Sequence, residues 1–191
     1  YIAALKSTGA TVVELPALEA FPDSLFVEDT ALCLPMGAVV MRPGAPSRLG
    51  EAAEMAPHLA ALYGDVRALT GADNFIEAGD ILTTETEILV GRSARTNAGG
   101  VAELTRLVAD WGHKVREVFT PPGVLHFKTD CSLLDASTIL ATDRLTPHPA
   151  VRLVARGIIA LFRTIPDLVW AIFFINLLSF KVKTKVFNNC N

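Results

Sequence analysis

Acids and arginines gather at four places in this chain, each at the border of an apolar run. The first is Pro22-Asp23-Ser24-Leu25-Phe26-Val27-Glu28-Asp29-Thr30, with three carboxylates within seven residues. Acids this close are costly to bury without cations. On a strand, Glu28 and Asp29 point to opposite faces, so one of them faces a ligand or partner. Taken alone, the run is better read as solvated acids at a strand end. The second place is Arg42-Pro43-Gly44-Ala45-Pro46-Ser47-Arg48, a turn-rich loop leading into a helix. Ser47 suits the N-cap, which sets Arg48 at the helix start, where the macrodipole gives a cation no help. A carboxylate that Arg48 must bind explains the placement better. The third, Phe75-Ile76-Glu77-Ala78-Gly79-Asp80-Ile81-Leu82, puts small residues between two acids and lets the backbone approach a ligand closely. The fourth, Gly91-Arg92-Ser93-Ala94-Arg95-Thr96-Asn97, is again a loop into a helix with arginine near its start. His126, in Leu125-His126-Phe127-Lys128, adds a group that titrates near neutral pH, although a lone histidine beside a strand is more often structural. Such a set can bind charged groups of either sign and move a proton.

The elements that must position these groups repeat. Residues 25–34 and 38–41 are rich in strand formers. Residues 48–63 follow as a helix, with Ala52, Ala53, Met55, Ala56, Leu59 and Leu62 close to helical spacing, and residues 66–69 read as a strand. The order recurs with strands at 80–83 and 87–91, a helix at 99–111 and a strand at 115–119. Val101, Leu104, Leu107 and Val108 share one face of that second helix. A third unit opens with strands at 131–134 and 138–142, joined by a turn around Asp135. Strand–strand–helix–strand at a period of roughly fifty residues predicts α/β modules set around an axis, as in a propeller. A plain open α/β sheet fits the pattern as well, and three partial modules do not close a ring.

A chain of 191 residues holds one domain and a short appendage. The net charge of −3, with no basic stripe before the last fifteen residues, excludes a nucleic-acid binder. Cys33, Cys131 and Cys190 are odd in number and widely spaced, which suits neither a disulfide framework nor a zinc site and fits a reducing, cytoplasmic compartment. The start lacks an initiator Met and a signal peptide and reads as the inside of a helix, so a fragment is expected. Composition changes near Leu145, giving an α/β part over 1–145 and an apolar tail over 146–191. Residues 168–180 are almost wholly apolar and precede Lys181, Lys183 and Lys185. The run is shorter than the ~20 residues a bilayer span needs; membrane contact through it is one expectation, a C-terminal apolar helix another.

FPDSLFVEDT, MRPGAPSR, EAGDIL, GRSARTN and GVLHFKTDCSLL, in this order, resemble the dimethylarginine dimethylaminohydrolases over about residues 1–145. The resemblance implies a pseudo-fivefold α/β propeller (pentein) of ββαβ modules with its site at the centre. It implies hydrolysis of an N-methylated arginine to citrulline and dimethylamine through a covalent cysteine thiouronium, with no metal and no cofactor. Carried over by position, Asp29 holds the guanidinium, with Asp23 and Glu28 supporting substrate binding nearby. Arg48 and Arg95 clamp the α-carboxylate. Glu77 pairs with the guanidinium and with His126, which serves as general acid and then as base. These types suit the task, because a planar, always charged guanidinium is bound and oriented by carboxylates, and a carboxylate by arginine.

The family's nucleophilic cysteine lies in its last module, and none of the three cysteines here matches it. Cys131 is expected to be a buried structural thiol, and Cys190 has no family context. The chain is therefore expected to be truncated and inactive, with a guanidinium-binding remnant and an arginine deiminase-like enzyme as alternatives. Residues 151–174 resemble a segment of a phosphonate-type ABC transporter permease, with Arg163-Thr164-Ile165-Pro166-Asp167-Leu168-Val169-Trp170-Ala171 as its core. That resemblance makes a permease fusion fragment a further alternative.

Overall fold

The computed structural model describes residues 2–135 and 138–141. The expected boundary near residue 145, the permease-like stretch 151–174, the apolar run 168–180 and Cys190 lie outside the described residues. Among the described residues, no helix is long and apolar enough to cross a membrane. The chain divides into two units, Tyr1–Leu15 with Thr142–Asn191, and Pro16–Ala141. Of the first unit, helix α1 (Ile2–Ser7) is described. Ser7 and Thr8 close its end by donating their hydroxyls to the carbonyls of Ala4 and Leu5.

The second unit is α/β and built by repetition. Strands β1 (Ala31–Leu34) and β2 (Gly37–Val40) form an antiparallel hairpin in the register Ala31 to Val40. Helix α2 (Glu51–Leu62) then crosses over, and β3 (Val66–Ala68) returns parallel to β2. The same path recurs in β4 (Ile81–Thr83), β5 (Glu87–Arg92), α3 (Ala98–Leu107) and β6 (Lys114–Phe119). There β4 is antiparallel and β6 parallel to β5. A third hairpin, β7 (Cys131–Asp135) and β8 (Thr138–Ala141), opens another repeat, with an irregularity between Leu133 and Asp135. The doubled strands expected from the sequence are therefore present in all three repeats.

Packing explains why the central strands lack polar alternation. All four residues of β2 are buried. Val39 and Met41 join a core shared by both complete modules, with Ile76, Ile88, Val90, Leu104 and Trp111. Ala38 and Val40 point the other way, onto Ala52 and Leu59 of α2. A strand covered on both faces reads as a continuous apolar run. Each fully buried aliphatic side chain contributes roughly 1.5–3 kcal/mol. An isolated bridge between Arg42 and Ile76 ties the first module to the entry of the second.

Several expected boundaries move, and the shifts matter for the site. The strand predicted over 25–34 begins only at Ala31, behind a 3-10 turn at Val27–Thr30. That turn closes when Thr30 Oγ1 donates to the Val27 carbonyl at 2.7 Å and Asp29 N–H to the Phe26 carbonyl at 3.2 Å. Ser47 does not cap α2: residues Pro46–Arg48 form their own 3-10 turn, and Gly50 stands at the N-cap without a side-chain bond. Asn97 caps α3, accepting the Gly100 N–H at 2.8 Å. Asp80 ends a 3-10 turn, Ala78–Asp80, rather than starting a strand. A further turn, Phe127–Thr129, precedes β7. Each repeat thus enters its first strand through one 3-10 turn.

Candidate active site

Those three turns carry the expected acids and histidine, because the repeat sets the turns side by side. Asp29 lies inside the first turn, Glu77 stands at the N-cap of the second and His126 at the N-cap of the third. One ligand atom from each of Asp29, Glu77 and His126 falls within 4.8 Å of the others. That spacing and donor set would also admit a metal ion. The backbone at Gly79 passes between them. Its N–H donates to Asp29 Oδ1 at 3.0 Å. A Cβ there would stand 2.5 Å from that oxygen and 2.9 Å from the imidazole of His126, so the small residue between the two acids is a steric requirement.

Glu77 is fully buried. Its Oε2 lies 2.7 Å from His126 Nε2, and its Oε1 accepts the N–H of Ala45 at 3.2 Å and Nη1 of Arg95 at 3.3 Å. An ionised carboxylate only accepts, so Nε2 carries a proton. Burial pushes the Glu77 carboxyl up, but the bonds from His126 and Ala45 and the charge of Arg95 outweigh it and hold the group below its ordinary value. His126 moves the other way. Its bond to Glu77 raises it most, burial opposes, and the charges of Asp29, Asp80 and Glu77 add to the rise. The pair is a stable imidazolium–carboxylate over a wider range than either free group. Asp80, also fully buried, is pushed above the usual carboxylate value by burial, against bonds from Ser93, Thr96 and the Phe127 N–H.

Arg48 was expected to reach outward to a ligand carboxylate, and the structure turns it inward. Its side chain is 5% exposed. Nε and Nη2 fork onto Glu51 at 2.8 and 2.5 Å, and Nη1 meets Asp29 Oδ2 at 2.6 Å. Nη2 also donates to the Phe26 carbonyl at 3.1 Å. Glu51 was not foreseen. An acid three residues after an arginine, in the first turn of a helix, was the available signal. Arg95 keeps its guanidinium about one-third exposed, with Glu77 as its ion-pair partner. Its loop is held against the second motif, since a Cβ on Gly44 would lie 2.5 Å from the Arg95 carbonyl oxygen.

Asp23 and Glu28 are brought to the same loop but not into the buried cluster. Asp23 is exposed and turns its backbone carbonyl toward Arg48 Nη2 at 3.4 Å. Glu28 is exposed and accepts from Lys128 Nζ at 2.5 Å, bridging the first loop to the histidine loop. Glu28 and Asp29 do separate to outside and inside, as expected of a strand, although a 3-10 turn does the separating. Cys131 is half-buried and donates its thiol to the Phe127 carbonyl at 3.3 Å. Burial pushes that thiol up to about 11, with Asp130 adding to the rise. Cys33 is exposed on β1.

No protein-family model matches the chain. The N(G),N(G)-dimethylarginine dimethylaminohydrolase of Pseudomonas aeruginosa is 35% identical over 149 residues, 78% of this chain and 58% of that protein. The Streptomyces coelicolor protein of the same name is 33% identical over 151 residues, 79% of this chain and 58% of its own. The solved Pseudomonas aeruginosa structure, a cysteine-to-serine variant complexed with citrulline, superposes with a TM-score of 0.69 at 33% identity, covering 78% of this chain and 59% of that one. The chain is a relative of the dimethylarginine dimethylaminohydrolases. It spans 58% of the length of both curated dimethylarginine dimethylaminohydrolases. The N-terminal domain of the arginine dihydrolase ArgZ, 19% identical at a TM-score of 0.60, shares the fold.

Proposed function

We propose that this chain carries the guanidinium-binding and proton-transfer groups of a dimethylarginine-hydrolysing site. The observation that supports it most is the buried Glu77–His126 pair at 2.7 Å with Asp29 beside it. In this reading Asp29 and Glu77 take the N–H groups of a methylated guanidinium on their remaining lone pairs. Arg95, whose guanidinium is partly open, takes the α-carboxylate. Arg48 holds Asp29 in place instead of contacting substrate, and Lys128 with Glu28 ties the two loops at the rim.

The reaction replaces dimethylamine by water at the guanidinium carbon. A thiolate forms a C–S bond to that carbon, and dimethylamine leaves with a proton from His126. His126 then takes a proton from water as the oxygen attacks the thiouronium, and the C–S bond breaks to release citrulline. The raised His126 suits the first step, since an imidazolium is the acid required. Cys131 does not suit the role of thiolate: burial keeps it protonated and it is bonded to a carbonyl. The reading therefore leaves the thiolate to a cysteine other than Cys131.

Titration calorimetry of the full chain with dimethylarginine, arginine and citrulline tests it. Heat with dimethylarginine, lost in Asp29→Asn and Glu77→Gln variants that still melt cooperatively, is the expected result. No heat at millimolar ligand would sink the reading. Citrulline formation that disappears in Cys190→Ser would place the nucleophile at Cys190.

A further inference from the structure

Asp80 follows Glu77 by three residues and has no exposed surface. Its Oδ1 accepts the backbone N–H of Phe127, the residue after His126, at 2.7 Å. Its Oδ2 accepts the hydroxyls of Ser93 and Thr96, both at 2.6 Å. Each hydroxyl in turn accepts a backbone N–H: Ser93 that of Arg95 at 2.9 Å, Thr96 that of Glu77 at 3.3 Å. One carboxylate thus ends three hydrogen-bond chains, which lead back to Glu77, Arg95 and Phe127, the neighbour of His126. All three run in one direction, from backbone donor to carboxylate. Only a group that accepts and never donates can terminate them together. An amide at this position would turn its NH2 either toward the two hydroxyls, whose hydrogens then lack an acceptor, or toward the Phe127 N–H, donor against donor.

The geometry points to Asp80 as the positioning residue that holds Glu77, Arg95 and His126 in register with one another. This rests on the dimethylarginine-site reading for what the three groups do, but not for how they are held. Asp80 needs no contact with substrate. It acts through the backbone of Glu77, Arg95 and Phe127, and a shift of about 1 Å in any of these would weaken catalysis or binding strongly.

The test uses the full chain and cuts the chains one at a time. Thr96→Val removes the link to Glu77 without changing any charge, Ser93→Ala removes the link to Arg95, and Asp80→Asn disturbs all three. NMR titration of the His126 imidazole is read for each, together with thermal melting and calorimetry with dimethylarginine. Thr96→Val is expected to lower the His126 pKa by about half a unit, roughly threefold in proton affinity, and Asp80→Asn to lower it further, because it also removes a negative charge that raises His126. Ser93→Ala should leave that pKa unchanged and weaken dimethylarginine binding about tenfold, the loss of one charge-assisted contact. Ser93→Thr should restore it. A His126 that titrates in folded Thr96→Val as it does in the parent overturns the proposal. If Asp80→Asn does not fold, Thr96→Val decides alone. Absence of heat from the parent protein would refute the ligand reading and leave the titration result standing.

Discussion

Arg48→Met removes the cation that pairs with two buried carboxylates. In the folded chain the Arg48, Asp29 and Glu51 side chains are 5%, 11% and 1% exposed. Neither acid can regain water by a rotamer change alone. Breaking a buried pair by deleting one partner costs about 3–5 kcal/mol, because the remaining charge stays desolvated. Here two charges remain, so the upper part of that range applies. Against a total stability of about 5–15 kcal/mol this is a third or more. For a chain of this size it corresponds to a fall in Tm of roughly 8–20 °C. Arg48→Lys should fall between: an ammonium keeps the charge but cannot fork onto Glu51 and reach Asp29 at once. Adding Glu51→Leu to Arg48→Met should return part of the loss by removing one stranded charge. Urea denaturation of the four proteins at neutral pH measures all of this. A cost below about 1 kcal/mol for Arg48→Met, the value of a solvent-exposed pair, would refute the buried triad.

Glu77→Gln should flatten the dependence of stability on pH. His126 is raised above its ordinary 6.5, so its contribution is complete below that pH and is lost as pH rises through the folded value. Glu77 is depressed below 4.5, so its contribution is complete above that pH and is lost as pH falls through the folded value. The pair is therefore at full strength between pH 4.5 and 6.5; urea midpoints of parent and variant that run parallel from pH 3 to 9 would contradict this. Gly79→Ala should cost about 1–3 kcal/mol by overpacking and abolish ligand heat, since the new methyl meets Asp29 and His126. Retained binding in calorimetry would show that the backbone there can move aside. Lys128→Met should change stability by less than about 1 kcal/mol, because its partner Glu28 is 70% exposed. A larger loss, or one insensitive to added salt, would mean that the bridge is shielded from solvent.

Much of the architecture was legible along the chain. Helical spacing of small and apolar residues marks α2 and α3, and paired runs of strand formers mark the hairpins. Those are local preferences, and local contacts satisfy them. The turn before each first strand was not legible in the same way. Residues 27–30 have strand-forming neighbours, and the 3-10 turn is selected by what it meets: Arg48 draws in the Asp29 carboxylate and the Phe26 carbonyl from about twenty positions away. The type and place of Arg48 called for a carboxylate without fixing which one. Its partners are the protein's own Asp29 and Glu51.

By itself, then, the sequence determined the ββαβ repeat, the residue types of the site and the kinship that five ordered motifs express. Periodicity, turn chemistry and motif order are properties of neighbouring residues, so they survive in one dimension. Which acid is buried and which arginine stays open were decided only by tertiary structure. Asp29, Glu77 and His126 lie about fifty positions apart from one to the next, and the repeat folds their three turns together. Burial and partners then set the charge: a carboxyl is depressed at Glu77, where a cation and an imidazole outweigh burial, and raised at Asp80, where burial outweighs two hydroxyls, an amide and the charge of His126. Charge state follows from desolvation and from partners distant in the chain, and neither exists until the modules pack.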